Sequence, residues 1–342
     1  MDNYGNFNFY PFLPPSQSVN QAIKIQERES GVRYLGMSNN FTIHTLGCGS
    51  AKPTPRHQPS STVVDHRGRL FMVDCGEGAQ RNFQKHKLKF SRLSDVFLTH
   101  LHGDHVFGLP GLVGTLGLQN TGGKLRIHTF ADGERILRQI FDYFCRDLPF
   151  EIEFNILNPK KEEIAYEDKS LVVRTIPLDH RVPAVGYVFE EKPGQRHIVR
   201  DMIDFHQVPV NRINSIKDGA DFIRPDGKVI KNDILTTDPT PPRRYAHISD
   251  TAYMPDIASK IGPVDLLFHE TTYLDENEKD AVARGHSTAR QAAMVARDSG
   301  AKRLLTGHYS SRYRDESPFL SQAAEVFKGE IFLNDESFKI DI

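Results

Sequence analysis

At 342 residues the chain can bury a large core, as one big domain or as one domain plus an insertion. Hydrophobic residues at 38% and charged residues at 25% are ordinary for a soluble protein, and no apolar run approaches the roughly 18 residues of a membrane span, which argues against an integral membrane protein. The formal net charge of -1 provides no global field to collect nucleic acid, so a polyanion partner must be held by local patches or by metal; three widely spaced cysteines (Cys48, Cys75, Cys145) without a secretory signal fit a reducing cytosol.

Residues 1 to about 36 are rich in Asn, Pro, Ser and Gln without a sustained period and read as a flexible leader, with Met37 as an alternative start. From Phe41 the pattern changes to short β-rich runs, FTIHTLG, STVVDHR and RLFMVDCG, each stopped by Gly or a polar turn; DVFLTH at 95–100 is another. About Val106 to Gln119 is compatible with a helix and LRIHTF with a strand. A second helix is predicted from Asp132 to about Arg146 on the apolar positions Ile136, Leu137, Ile140, Phe141 and Phe144. Strands LVVRTIPLDH and VGYVFEE follow. Residues 192–242 differ in character: mixed charge, prolines in QVPV and DPTPP, and DG turns at 218–219 and 226–227 mark an inserted subdomain.

Three more apolar strands, RRYAHISD (243–250), VDLLFHE (264–270) and KRLLTGH (302–308), end in an acid or a histidine. Between the last two, the sequence predicts a helix with Ser287 as N-cap and Gly300 as its stop. Mixed strands and helices with polar residues at strand ends predict a layered α/β sandwich whose site lies along one sheet edge.

THLHGDH, residues 99–105, concentrates the chemistry. In an extended segment alternate side chains share a face, so His100 and His102 can reach one cation, while the Gly103 turn aims Asp104 and His105 at a second. Imidazole and carboxylate without thiolate suit an open, catalytic Zn²⁺ site rather than a closed structural one. His180 in PLDHRVP, Asp250 in HISDTAY and His308 in LLTGHYSSRY stand at strand ends and can complete two coordination spheres, with Asp250 as the bridge because a carboxylate has two oxygens. Glu270 is a candidate for orienting His286 or a ligand histidine. His44, His128, His247 and His269 lie within strand-like runs and read as structural.

THLHGDH, LDH, SDT, GHSTARQAA and GHYSSRY, in this order from about Phe41 to Ile342, resemble the metallo-β-lactamase superfamily and, within it, the ribonuclease Z family of tRNA 3′-processing endonucleases. The resemblance implies a four-layer αββα sandwich with an inserted exosite arm. It implies two Zn²⁺ per subunit, one held by His100, His102, His180 and Asp250 and the other by Asp104, His105, Asp250 and His308. It further implies Asp104 as proton acceptor, His286 as an assistant in catalysis, precursor tRNA as substrate, and a cytoplasmic homodimer. A zinc pair can activate water at neutral pH and offset charge at phosphorus. His286 precedes a predicted helix N-terminus, whose free N–H groups would favour a phosphate.

The segment 192–242 occupies the place of the family's tRNA-gripping arm, yet from Glu191 to Lys231 it holds eight Lys or Arg against six acids, a weak polyanion signal. Where the family carries a P-x-K-x-R-N loop, this chain reads Pro53-Thr-Pro-Arg-His-Gln58, with Arg56 and His57 as possible RNA contacts. Two rival readings are a phosphodiesterase acting on small molecules and a non-enzymatic RNA-binding scaffold; the intact ligand set argues against the second.

Overall fold

Alternation along the strands sorts side chains to two faces, and each face has its own apolar partner. In the strand Phe41–Gly47, Phe41 and Ile43 enter a central core while Leu46 enters an outer one; in Arg69–Val73, Phe71 and Val73 face the centre while Leu70 and Met72 face outward. The computed structural model describes residues 40–119 and 122–342, so the leader and Met37 lie outside the described residues.

Two seven-stranded sheets carry the fold. The first runs, in spatial order, Lys339–Asp341, Phe41–Gly47, Ser61–His66, Arg69–Val73, Leu93–Phe97, Gly123–Thr129 and Phe150–Ile156; its last four strands are parallel. The second runs Glu330–Phe332, Arg303–Gly307, Leu266–Glu270, Arg244–Ile248, Ala184–Glu191, Leu171–Leu178 and Ile164–Glu167, with its first four parallel. The central core takes Phe71 and Phe97 from one sheet and Tyr187, Phe189 and Tyr245 from the other.

Each outer face is covered by helices. Leu109, Leu112 and Leu116 of helix Leu109–Leu118 and Leu137 and Phe141 of Ala131–Phe144 pack on the first sheet. Ile257 and Ile261 of Ile257–Ile261, Ala293 and Ala296 of Ala289–Ser299, and Ala323 of Ser317–Val326 pack on the second. The order helix, sheet, sheet, helix is the αββα sandwich expected. Among the described residues no helix is long and apolar enough to cross a membrane.

Several boundaries differ from the sequence reading. The helix expected over Val106–Gln119 is two, Gly103–Val106 and Leu109–Leu118. Ser287 is not the N-cap of the helix that follows: Thr288 is, accepting from Gln291 N–H at 3.3 Å while its own N–H donates to Gln291 Oε1 at 2.9 Å, a reciprocal capping box. Ser287 instead donates its hydroxyl to Thr251 O at 2.9 Å.

Residues 192–242 form two short antiparallel pairs, His197–Ile198 with Thr236–Thr237 and Phe222–Ile223 with Val229–Ile230. Helices Arg200–Phe205, Ile213–Lys217 and Asn232–Leu235, with the short 3-10 helix Val210–Arg212, complete the segment. Ile203, Val208, Ile216, Phe222, Ile230 and Leu235 make a small core of their own. At the base, Glu191 N–H donates to Arg243 O at 3.0 Å, and the Glu191 carboxylate receives Arg243 Nε at 2.8 Å and His66 Nε2 at 3.1 Å.

Candidate metal centre

The parallel strands of both sheets deliver their C-terminal ends to one edge, where an open α/β sheet places its chemistry. The strand before the motif stops at Phe97, earlier than the expected 95–100, because the backbone leaves the ladder: Thr99 N–H donates to Asp74 Oδ1 at 2.8 Å. His102 is extended and caps the single turn Gly103–Val106, which carries Asp104 and His105. Cys75 N–H donates to His105 O and Gly108 N–H to Cys75 O, both at 2.8 Å. A Cβ on Gly108 would lie 2.0 Å from Gly76 O, so this close approach of two backbones requires glycine.

Around Asp250 the predicted ligands fall into two sets. His100 Nε2 lies 3.1 Å and His180 Nε2 3.3 Å from His102 Nδ1, and Asp250 Oδ2 is 3.6 Å from His100 Nε2 and 3.9 Å from His180 Nε2. On the other side, Asp250 Oδ1 is 3.6 Å from His105 Nε2 and 3.3 Å from His308 Nε2, while Asp104 Oδ2 is 3.6 and 3.5 Å from the same two nitrogens. Four donors at about 2.0–2.2 Å from a tetrahedral ion stand about 3.3–3.6 Å apart, so both sets fit a divalent metal such as Zn²⁺. Each oxygen of Asp250 faces a different set, the geometry of a bridge.

Outer partners fix the imidazoles. His105 Nδ1 donates to Asp74 Oδ2 at 2.7 Å, and Asp74 also accepts the Thr99 hydroxyl at 2.8 Å. His180 Nδ1 donates to Gly285 O at 2.7 Å, with Gly285 in the left-handed region at φ 68°, and His308 Nδ1 meets the Thr272 hydroxyl at 2.8 Å. Ala51 N–H donates to Asp104 Oδ2 at 2.7 Å. Three non-glycine residues at this edge, Ala51, Asp74 and His308, have φ of 66°, 58° and 61°, local strain that the surrounding contacts hold in place. Asp74 was not among the sequence-predicted residues; its signal is an acid directly after an apolar strand, the position Asp250 occupies after its own.

Charge at the site follows from burial and neighbours. Burial lowers His100, His102 and His180 below the usual imidazole range, which keeps them in the neutral form that binds metal. Burial opposes charge on Asp250 too, but His308, His105 and His100 hold its carboxyl well below the usual range. His105 also resists its burial: Asp250 and Asp74 push it up to about 10, which reports the anionic field a divalent ion would meet.

His286 adjoins the ligand sets, with Nδ1 3.9 Å from Asp250 Oδ2 and close to His308, but it has a nearer partner. Its Nδ1 donates to Glu270 Oε1 at 2.9 Å, and Glu270 is fully buried and accepts the N–H groups of Thr251, Thr272 and Ser287 at 2.9–3.1 Å. Burial disfavours its cation, yet Glu270 and then Asp250 outweigh this and push the imidazole up to about 9. The expected free N–H groups beside it are not free: His286 N–H donates to Ala281 O, Ser287 N–H to Glu270, Thr288 N–H to Gln291 and Ala289 N–H to Tyr273 O. Phosphate binding by this helix N-terminus is therefore corrected, and the side chain of His286 remains.

The other assignments resolve as follows. His128 stacks on Phe97 and bonds Asp95 at 3.0 Å, and His247 stacks on Phe268, both as core residues. His44 and His269 are buried in their strands. In the loop 53–58, Arg56 pairs with Glu316, and His57 directs Nε2 to Glu316 and Nδ1 to Glu336, each at 3.2 Å, so both side chains have partners within the protein.

Residues 41–137 match the family described as Anti-Pycsar protein Apyc1, and residues 235–309 match the Beta-lactamase superfamily domain. Fold and site together define a metal-dependent hydrolase of the β-lactamase superfamily. Ribonuclease Z of Porphyromonas gingivalis is 48% identical over 302 residues, 88% of this chain and 99% of the relative; Ribonuclease Z of Phocaeicola vulgatus is 49% identical over 302 residues, 88% and 97%. The chain belongs to the ribonuclease Z family. Human tRNase Z, short form, has a similar structure at 25% identity and a TM-score of 0.62, covering 87% of this chain and 98% of that one, and YhfI from Bacillus subtilis shares the fold at 16% identity and a TM-score of 0.63, covering 89% and 100%.

Proposed function

We propose that this protein is a zinc-dependent endoribonuclease that removes the 3′ trailer from precursor tRNA, leaving a 3′-OH on the tRNA and a 5′-phosphate on the trailer. The observation that carries this reading is Asp250 with one oxygen toward each ligand set, in a chain whose relatives are ribonucleases Z. His100, His102, His180 and Asp250 would hold one zinc, and Asp104, His105, Asp250 and His308 the other, two per subunit. A bound pair supplies a water nucleophile near neutral pH and offsets charge building at phosphorus.

The chain's own groups do the rest. Asp104 turns Oδ2 to His105 and His308, and its other oxygen orients the attacking water and takes its proton. His286, kept cationic by Glu270, contacts the phosphate and gives a proton to the departing 3′ oxygen. The segment 192–242 serves as the arm that grips tRNA, in a cytoplasmic homodimer. Phe107, just after the motif, and Leu118, at the far end of the helix Leu109–Leu118, are 71% and 90% exposed and supply apolar surface for such a dimer.

Sequencing the ends made from one trailer-bearing tRNA, with bis-p-nitrophenyl phosphate run in parallel, tests the reading. A single cut 3′ of the acceptor stem with a tRNA 3′-OH is expected. Rapid turnover of the small diester with the tRNA untouched would replace it with a small-molecule phosphodiesterase.

A further inference from the structure

Away from the paired ligand sets, one other group of ligand-type side chains converges among the described residues: Cys48, His57 and Glu336. Cys48 Sγ lies 3.2 Å from His57 Nδ1 and 3.7 Å from Glu336 Oε1, and His57 Nδ1 lies 3.2 Å from Glu336 Oε2. One ligand atom from each residue lies within 4.8 Å of the others, with the two Glu336 oxygens turned one to the sulfur and one to the imidazole, close to the edges of about 3.3–3.6 Å that a tetrahedral ion with bonds of about 2.0–2.3 Å requires. From these contacts we infer that Cys48, His57 and Glu336 form a third zinc site, distinct from the paired one.

Three features support a cation over a plain hydrogen-bonded trio. A buried cysteine ordinarily behaves as a small hydrophobe, yet Cys48 Sγ is ringed by three polar atoms, His57 Nδ1, Asn334 O at 3.6 Å and Glu336 Oε1, of which one S–H can serve a single acceptor. His57 Nε2 meets the Glu316 carboxylate at 3.2 Å, the outer partner that a metal-binding imidazole takes on its second nitrogen. Finally, burial and the carboxylates of Glu336, Asp335 and Glu316 push the Cys48 thiol well up, while Glu336 and Glu316 also raise His57, so a divalent ion would take the place of the protons these two groups otherwise hold. Binding releases the thiol proton to solvent, and the thiolate selects zinc over magnesium, calcium or manganese.

The location gives the site a structural task. Tyr309 N–H donates to Cys48 O at 3.0 Å and Ser50 N–H to Tyr309 O at 3.1 Å, next to His308, and Ala51 N–H holds Asp104. A zinc here staples the loop 48–58 to residues 334–336, and through that loop steadies one ligand set.

Cobalt(II)-substituted full-length protein tests this without RNA, so the result is independent of the tRNA reading. The paired site has no sulfur donor, and a sulfur-to-cobalt charge-transfer band therefore reports the third site alone. The band is expected in the wild-type protein and lost in Cys48→Ser, with bound zinc falling from three equivalents to two. If Cys48→Ser does not fold, Glu336→Gln, which keeps the sulfur, is expected to shift and weaken the band. A cobalt protein without the band, or a band that survives Cys48→Ser, overturns the proposal.

Discussion

His180 and Asp250 face the ligand sets directly, whereas His286 is turned by Nδ1 to Glu270, and substitution separates the two positions. His180→Ala or Asp250→Ala is expected to lower bound metal and cleavage rate together. His286→Ala is expected to retain metal while the rate falls about 10²–10⁴-fold, the usual worth of a positioned acid or base. Metal analysis beside single-turnover cleavage reads both, and equal metal loss in all three variants would contradict the role given to His286. The converging side chains were legible because metal binding demands particular residue types at strand ends. Asp74 was not, since one acid after a strand has many uses and only its contacts with His105 and Thr99 reveal this one. The N–H groups near His286 misled for the same reason: Glu270, Tyr273 and Ala281 consume them from positions remote in sequence or a turn away.

Long alternating strands such as Phe41–Gly47 and Leu171–Leu178 announce themselves, because a buried face and its opposite leave a period of two. Short edge strands do not: Ile164–Glu167, Glu330–Phe332 and Lys339–Asp341 carry too few residues for a period and are set by pairing with a neighbour. The shift of the N-cap from Ser287 to Thr288 is similar, since both residues can cap and the choice falls to Gln291. At the base of the inserted segment, burial works against the Glu191 charge, but His66 and Arg243 hold its carboxyl below the usual range. A depressed folded-state value means that this stabilisation is present above the unfolded value of 4.5 and is lost as pH falls. Glu191→Gln is therefore expected to lower stability by about 2 kcal/mol near neutrality, with the gap to wild type closing below about pH 4. Thermal melts of both proteins across pH check this, and a gap that stays constant on acidification would remove Glu191 as its source.

On the scale of the whole molecule, the sandwich and the inserted segment carry separate cores. Removing residues 195–235 takes out all six buried residues of the small core, Ile203 to Leu235, and leaves those of the sandwich in place. Such a deletion is expected to weaken binding of precursor tRNA several-fold or more while sparing turnover of bis-p-nitrophenyl phosphate. Unchanged kinetics on precursor tRNA would exclude this segment from substrate recognition. The layered class was legible from strands and helices in alternation; the detailed strand order was not, because it depends on which distant edges meet.

One of those meetings orders events in time. Lys339–Asp341 pairs with Phe41–Gly47, and Ile342 N–H donates to Phe41 O at 2.9 Å, so the first sheet waits for residues about three hundred positions downstream of the strand they pair with. His308 also emerges late, long after His100. A nascent chain thus holds an incomplete set of donors until His308 has emerged, and its chemistry stays silent until then.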